Sequence, residues 1–187
     1  LGFYPKNHFK VGIDPSGSRF IKKYKKNNCN LIEDFFSFKN VNSNFKNKKF
    51  DFITSYAMFY DIEEPVKFCK DISKLLKDDG VWNLELSYLP LLIQNMTYDQ
   101  ICHEHVTYYD LTMIKKVLNK ANLQINKVSF NEINGGSFNL ICSKKSSKIK
   151  IDKQGINKIL ENEKIYYENK NLGGFSLRIS NNAKTLK

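Results

Sequence analysis

The segment Leu86–Leu111, LSYLPLLIQNMTYDQICHEHVTYYDL, holds the densest set of side chains able to move protons. Two of the chain's three histidines, His103 and His105, flank Glu104 there, with Tyr98, Asp99, Tyr108 and Tyr109 close by in sequence. Imidazole exchanges protons near neutral pH, and a neighbouring carboxylate orients it and steadies its charged form. Such a cluster can supply a general base. Tyr108, Tyr109 or Asn134 can steady an oxyanion, and the residue types alone do not choose among them. H-x-H beside carboxylates is also a metal-ligand spacing, and histidines beside a helix start can be purely structural. Position favours catalysis: the cluster follows a strand, Val81–Ser87, at its carboxyl end, where ligands bind in open α/β sheets.

A second acidic residue has a comparable position. Asp14 ends the short β-branched run FKVGID and can accept hydrogen bonds from ribose hydroxyls. The alternative is a helix N-cap, a role that Ser16 can fill instead. The Gly-rich turn that normally precedes such an acid follows an earlier strand. No such turn stands ahead of Asp14. The opening LGFYPKNHFK has no initiator Met and no signal-peptide shape, as if the chain were entered partway through.

The elements that must position these residues alternate. Strands are expected near 9–13, 30–32, 51–56, 81–87, 123–131 and 137–143. Between them, Pro15-Ser16-Gly17 opens a helix reaching about Asn27, and Asn40–Lys49 reads as a loop or weak helix. Val66, Phe68, Cys69, Ile72, Leu75 and Leu76 give helical periodicity over Glu64–Lys77, with Gly80 of Asp78-Asp79-Gly80 as its C-terminal stop. Leu111–Ala121 reads as a further helix. Strands alternating with helices imply a mostly parallel sheet covered on both faces. Asn134-Gly135-Gly136 tolerates positive φ, so the last two strands should form an antiparallel hairpin. After Lys144 comes a polar connector, then helices over Ile156–Asn169 and Leu172–Leu186.

Composition narrows the classes. The 187 residues suit one domain with a small remainder, and 41% hydrophobic and 13% aromatic content can fill a core. The net charge of +11 raises nucleic acid as a partner, but only Arg19 and Arg178 among the 30 basic residues are arginine. Base reading and phosphate forks favour Arg, so the Lys/Asn-rich pattern reads as a solvated surface and nucleic acid is disfavoured. Cys29, Cys69, Cys102 and Cys142 lack C-x-x-C spacing, which argues against a zinc site and for free thiols in the cytoplasm. No run approaches the roughly 18 apolar residues of a membrane span, so no membrane role is expected.

From Phe50 to Gly136 the chain resembles the sugar C-methyltransferase family. The resemblance rests on FDFITS, YAMFYDIEEP, LLKDDG, VWNLELSYLP, YDQICHEHVTYYDL and FNEINGGSF in that order. It implies a Rossmann-like class I methyltransferase fold (α/β, mostly parallel with a terminal antiparallel hairpin), lacking its first strand. It implies S-adenosylmethionine as cofactor and a nucleotide-linked keto-deoxysugar as substrate, methylated at carbon through a base-generated enolate. Position by position, the catalytic Glu-His pair falls on Glu104 and His105, with Tyr108 beside them. Asp14 falls at the cofactor ribose and Asp34-Phe35 at the adenine. Ser55, Ala57 and Met58 fall where the chain passes the methionine part. His103, Tyr109, Asn134 and Gly135 fall on the substrate side, and no metal is implied.

Two departures stand out. Some family members have Tyr in place of Cys102 and His in place of Asp61. The implied division is a methyltransferase domain over 1–144, then a connector and helices over 145–187 leading into a C-terminal domain. The family's upstream Cys-rich zinc module does not lie in this sequence. The rivals are a nicotinamide dehydrogenase, another small-molecule methyltransferase, a non-catalytic methyltransferase-like binding module and, on charge alone, a nucleic-acid-binding module. The β-hairpin ending and the HEH cluster speak against the dehydrogenase.

Overall fold

The computed structural model describes residues 2–169 and 174–185. The chain divides into two compact units, Leu1–Lys49 and Phe50–Lys187.

In the first unit two parallel strands, β1 (Val11–Ile13) and β2 (Asn30–Ile32), pair in register Val11 to Asn30. A single helix was expected from Pro15 to about Asn27. The chain instead makes a short helical turn, Gly17–Phe20, and then helix α1, Ile21–Lys26. The cause is local. Asp14 Oδ1 accepts from both Ser16 N and Ser16 Oγ at 2.8 Å, a side-chain-closed turn that competes with helix at this point. Gly17 is buried where a Cβ would stand 2.4 Å from Leu31 Cδ1, so the turn closes directly onto β2. Helix α2, Phe38–Asn44, occupies the start of the stretch read as loop or weak helix. It is capped by Ser37, whose Oγ accepts from Asn40 N at 3.1 Å.

The second unit is built on a four-stranded sheet in the order β3-β4-β6-β5. Its strands are β3 (Phe50–Tyr56), β4 (Leu76–Ser87), β5 (Leu123–Asn131) and β6 (Ser137–Lys144). β3 and β4 run parallel, and β6 is antiparallel to both β4 and β5. The expected hairpin therefore forms, and its returning strand inserts between β4 and β5. Asn134, Gly135 and Gly136 at its turn have φ of 53°, 74° and 125°.

Alternation along β4 and β6 buries Trp82, Leu84 and Leu86 beside Phe138, Leu140 and Cys142. Onto this core come helix α3 (Pro65–Leu75), with Phe68, Cys69, Ile72 and Leu75 inward, and helix α5 (Leu111–Asn119), with Leu111, Ile114, Val117 and Leu118 inward. α3 packs on β4 and α5, and α5 packs on β5. Each such large apolar side chain contributes roughly 1.5–3 kcal/mol by leaving water. Pro65 opens α3, where a missing N–H costs nothing. Asp110 caps α5 by accepting from Met113 N at 2.6 Å.

The expected stop at Gly80 is not how α3 ends. The helix finishes at Leu75, and Leu76 is already extended. Gly80 lies within β4, beside an irregularity where Phe50 pairs with Leu76 but Phe52 with Val81. A Cβ there would stand 2.8 Å from the Phe50 carbonyl oxygen, so this glycine serves strand contact rather than a helix terminus. Beyond the hairpin lie helix α6 (Lys153–Glu168), capped by Asp152, and helix α7 (Phe175–Thr185). Leu172 and Leu186, the bounds expected for the last helix, lie outside the described residues. Among the described residues no helix is long and apolar enough to cross a membrane.

Candidate active site

The HEH cluster rides on an excursion between β4 and α5. After Tyr88 the chain makes helix α4 (Leu89–Gln94), a short turn at Tyr98–Gln100, and irregular backbone to Tyr109. Its two ends meet: Tyr88 and Tyr109 form an isolated parallel bridge, and Leu89 N donates to Tyr109 O at 2.9 Å. The hairpin turn supports it from the side. Tyr88 N donates to Gly136 O at 3.0 Å, and Asn95 Nδ2 donates to Gly135 O at 2.7 Å. A Cβ on Gly135 would meet Thr97 Cγ2 at 2.1 Å, and one on Gly136 would meet Leu91 Cβ at 2.6 Å. The N-G-G run is thus required for close approach as well as for its backbone angles. Asn134 is exposed at the tip of that turn.

His105 is the focus of the excursion. Its ring lies against Tyr60, centroids 4.2 Å apart and tilted by 47°, with Tyr108 edge-on at 6.1 Å. Thr107 N donates to Tyr60 O at 3.1 Å, fixing this stretch to the turn Phe59–Asp61 that follows β3. Tyr108 OH reaches Gln100 O at 3.4 Å. Asp61 belongs to the same charge cluster. Burial raises its carboxyl above the usual range, His105 opposes the rise and Glu104 adds to it. Burial first, then Asp61 and Cys102, raises the Tyr60 phenol. β3 and β4 are parallel, so the backbone that carries Tyr60 and the excursion that carries His105 both leave from carboxyl ends. His103 is nearly free of contacts, 92% exposed, with Glu104 Oε1 at 3.6 Å from its Nε2. Among the described residues no group of three or more His, Cys, Asp or Glu is placed to hold a metal ion.

Two expected site residues are buried. Ser55 is 7% exposed and its Oγ accepts from Trp82 Nε1 at 3.1 Å, so its hydroxyl is occupied inside the unit. Tyr109 is 1% exposed, with its ring 5.4 Å from that of Phe59. The neighbouring positions differ. Ala57 is exposed and left-handed, φ 50°, while its N–H donates to Glu85 O at 3.0 Å. Strain of that kind in a residue other than glycine is concentrated at functional sites. Met58 follows, half-buried. Tyr60 was given no role at the site. It lies within the YAMFYDIEEP stretch but far from His105 in sequence, so their contact is not readable from either segment.

In the first unit, Asp14 and Asp34-Phe35 follow the carboxyl ends of the two parallel strands. Asp14 N extends the pairing by donating to Ile32 O at 3.1 Å. Its Oδ1 holds the Ser16 turn, and the described contacts leave Oδ2 open. Phe35 exposes 75% of its surface, with its N–H donating to Asp34 Oδ1 at 2.7 Å and its carbonyl held by Asn40 Nδ2 at 2.9 Å.

A family model described as methyltransferase domain matches residues 7–128. The C-methyltransferase NovU of Streptomyces niveus is 32% identical over 82 residues, 44% of this chain and 19% of that protein. The chain thus spans about a fifth of that relative's length. Among solved structures, an S-adenosylmethionine-dependent methyltransferase from Clostridium acetobutylicum superposes with a TM-score of 0.56 at 16% identity, covering 73% of this chain and 75% of that one. Magnesium protoporphyrin IX methyltransferase from Synechocystis, with bound S-adenosylhomocysteine, gives 0.52 at 13% identity, covering 73% and 64%. The chain belongs to the methyltransferase domain family, and its mixed sheet and flanking helices make the Rossmann-like α/β fold of the class I S-adenosylmethionine-dependent methyltransferases.

Proposed function

We propose that this chain carries S-adenosylmethionine-dependent methylation of a carbon next to a keto group, on a nucleotide-linked deoxysugar. The observation that carries the reading is the His105 imidazole seated on Tyr60, with Tyr108 at its edge and the carboxyl groups of Asp61 and Glu104 in electrostatic reach. In the first unit, taken by itself, two groups suit a nucleoside. The open Oδ2 of Asp14 suits the ribose diol, and the exposed Phe35 ring suits the adenine. S-adenosylmethionine, when bound, supplies an electrophilic methyl group.

The residues of the chain have separate tasks. His105 takes the α-proton of the keto sugar, and Asp61 and Glu104 counter the imidazolium that results. Tyr108 faces the enolate oxygen, with Asn134 as the other candidate partner. Ala57 and Met58 line the course of the methionine part, and His103 and Gly135 stand on the sugar side. A base placed this way contributes about 10²–10⁴-fold, and alignment for in-line displacement supplies the rest. In our reading residues 1–144 carry the groups that act on substrate and cofactor.

The test is to incubate the protein with a nucleotide-linked keto-deoxysugar in deuterated water. Exchange of the α-proton without cofactor, and methyl incorporation with it, support the reading. Neither occurring would sink it. The exposure of His103 and Glu104, 92% and 66%, favours a second reading, a non-catalytic binding module. That reading expects cofactor or nucleotide-sugar binding with no proton exchange.

A further inference from the structure

We infer that Glu163 is a positioning residue that holds the two ends of the catalytic excursion on one carboxylate. Glu163 sits on α6, outside every element that carries the proton-transfer cluster, yet it is 2% exposed. Its Oε1 accepts from Tyr88 OH at 2.8 Å and from Leu111 N at 2.6 Å. Its Oε2 accepts from Thr112 N at 3.0 Å and from Thr112 Oγ1 at 2.7 Å. Tyr88 is the last residue before the excursion, and Leu111 and Thr112 are the first after it. Among the described residues, every donor on this carboxylate therefore comes from one end or the other. One helical turn further along α6, Tyr167 OH donates to Asp110 Oδ2 at 2.8 Å, steadying the residue that caps α5.

The choice of side chain needs explaining. A buried carboxylate is costly and is tolerated only when its lone pairs are filled. Among the described residues no cation pairs with Glu163, and neutral donors fill it together with the start of α5, whose dipole favours negative charge. An apolar side chain would pack α6 without that penalty. What it would lack is direction, the ability to specify where Tyr88 and Leu111 stand relative to each other. Between these anchors the excursion has no sheet ladder, so the spacing of its ends limits where His105 can lie. The Tyr88 ring adds to the anchor by packing at 5.0 Å from Phe130 and 4.9 Å from Phe138.

The rate consequence rests on the proposed role of His105, while the positional consequence does not. The hydrogen bond from Thr107 N to Tyr60 O reports the seating of His105 directly. The experiment is amide hydrogen exchange on the full chain and on Glu163→Gln. An amide side chain keeps the volume but offers one acceptor oxygen, and its NH₂ faces donors. The expected result is loss of at least about tenfold protection at Thr107, with α3 amides protected as in the parent. If the keto sugar is a substrate, kcat falls about 10–10²-fold with the cofactor KM unchanged. Unchanged protection at Thr107 in a folded Glu163→Gln protein overturns the inference. Should that variant fail to fold, Tyr88→Phe removes one donor only, and parental protection at Thr107 in it overturns the inference equally. A parent protein with no proton exchange or methyl transfer sinks the proposed function and leaves the amide measurement standing.

Discussion

The imidazole of His105 and the ring of Tyr60 lie 4.2 Å apart, although β4, α3 and much of the excursion separate them in sequence. The contact joins the turn after β3 to the excursion after β4, and Thr107 N to Tyr60 O at 3.1 Å reinforces it. Tyr60 is 8% exposed, so its ring is a fixed wall on which the imidazole rests. Removing it leaves a cavity and frees the imidazole. Tyr60→Ala should lower methyl transfer by about 10²-fold, the scale of a misplaced reacting group. Tyr60→Phe, which keeps the ring, should stay near the parental rate. Steady-state kinetics on the two variants checks this.

Asp61 gives a test with a defined sign. Its carboxyl is raised chiefly by burial, lowered by His105 and raised again by Glu104. His105→Ala should therefore push Asp61 further up, and Glu104→Gln should bring it down. Following the Asp61 carboxyl carbon by NMR through a pH titration measures both. A carboxyl raised in the folded state holds its proton more tightly than in the unfolded chain. Its ionisation therefore costs stability above the folded value, and the cost is relieved as pH falls through that range.

Ser55 separates a structural role from a cofactor role. Its Oγ is the acceptor for the buried Trp82 Nε1–H at 3.1 Å. Ser55→Ala leaves that donor unpaired and should cost about 1–3 kcal/mol in chemical denaturation. Cofactor affinity should stay at the parental value in the folded protein.

Gly136 should not tolerate a side chain. Its φ is +125° and an added Cβ would lie 2.6 Å from Leu91 Cβ. Gly136→Ala should destabilise by about 1–3 kcal/mol through backbone strain alone, with loss of order in the α4 stretch that leads to the HEH residues. Thermal unfolding and amide exchange over 89–97 measure the two effects.

The strands were legible because each is a short apolar run bounded by turn residues, and the N-G-G run marked the hairpin correctly. That Asp14 and the HEH segment come after strands was also legible, because a short apolar run precedes each. What escaped detection depends on contacts between distant residues. Gly80 looked like a helix stop because it follows two aspartates, yet the Phe50 carbonyl beside it decides its role. Ser55 and Tyr109 looked available because nothing near them in sequence shows that Trp82 and Phe59 claim them. Tyr60 lies in the YAMFYDIEEP stretch, yet nothing there shows that His105 rests on its ring. Glu163 looks like one more charge on a polar helix, and only the fold shows its carboxylate among the donors of Tyr88, Leu111 and Thr112.

The proposed chemistry turns on His105 as the base. The most direct measurement is exchange of the keto sugar's α-proton with deuterated water, without cofactor, in the parent protein and in His105→Ala. The substitution should slow exchange by about 10²–10⁴-fold and leave S-adenosylmethionine affinity nearly unchanged, since the nucleoside contacts proposed above are Asp14 and Phe35. A His105→Ala protein that exchanges this proton at the parental rate would contradict the account and assign the base to another group.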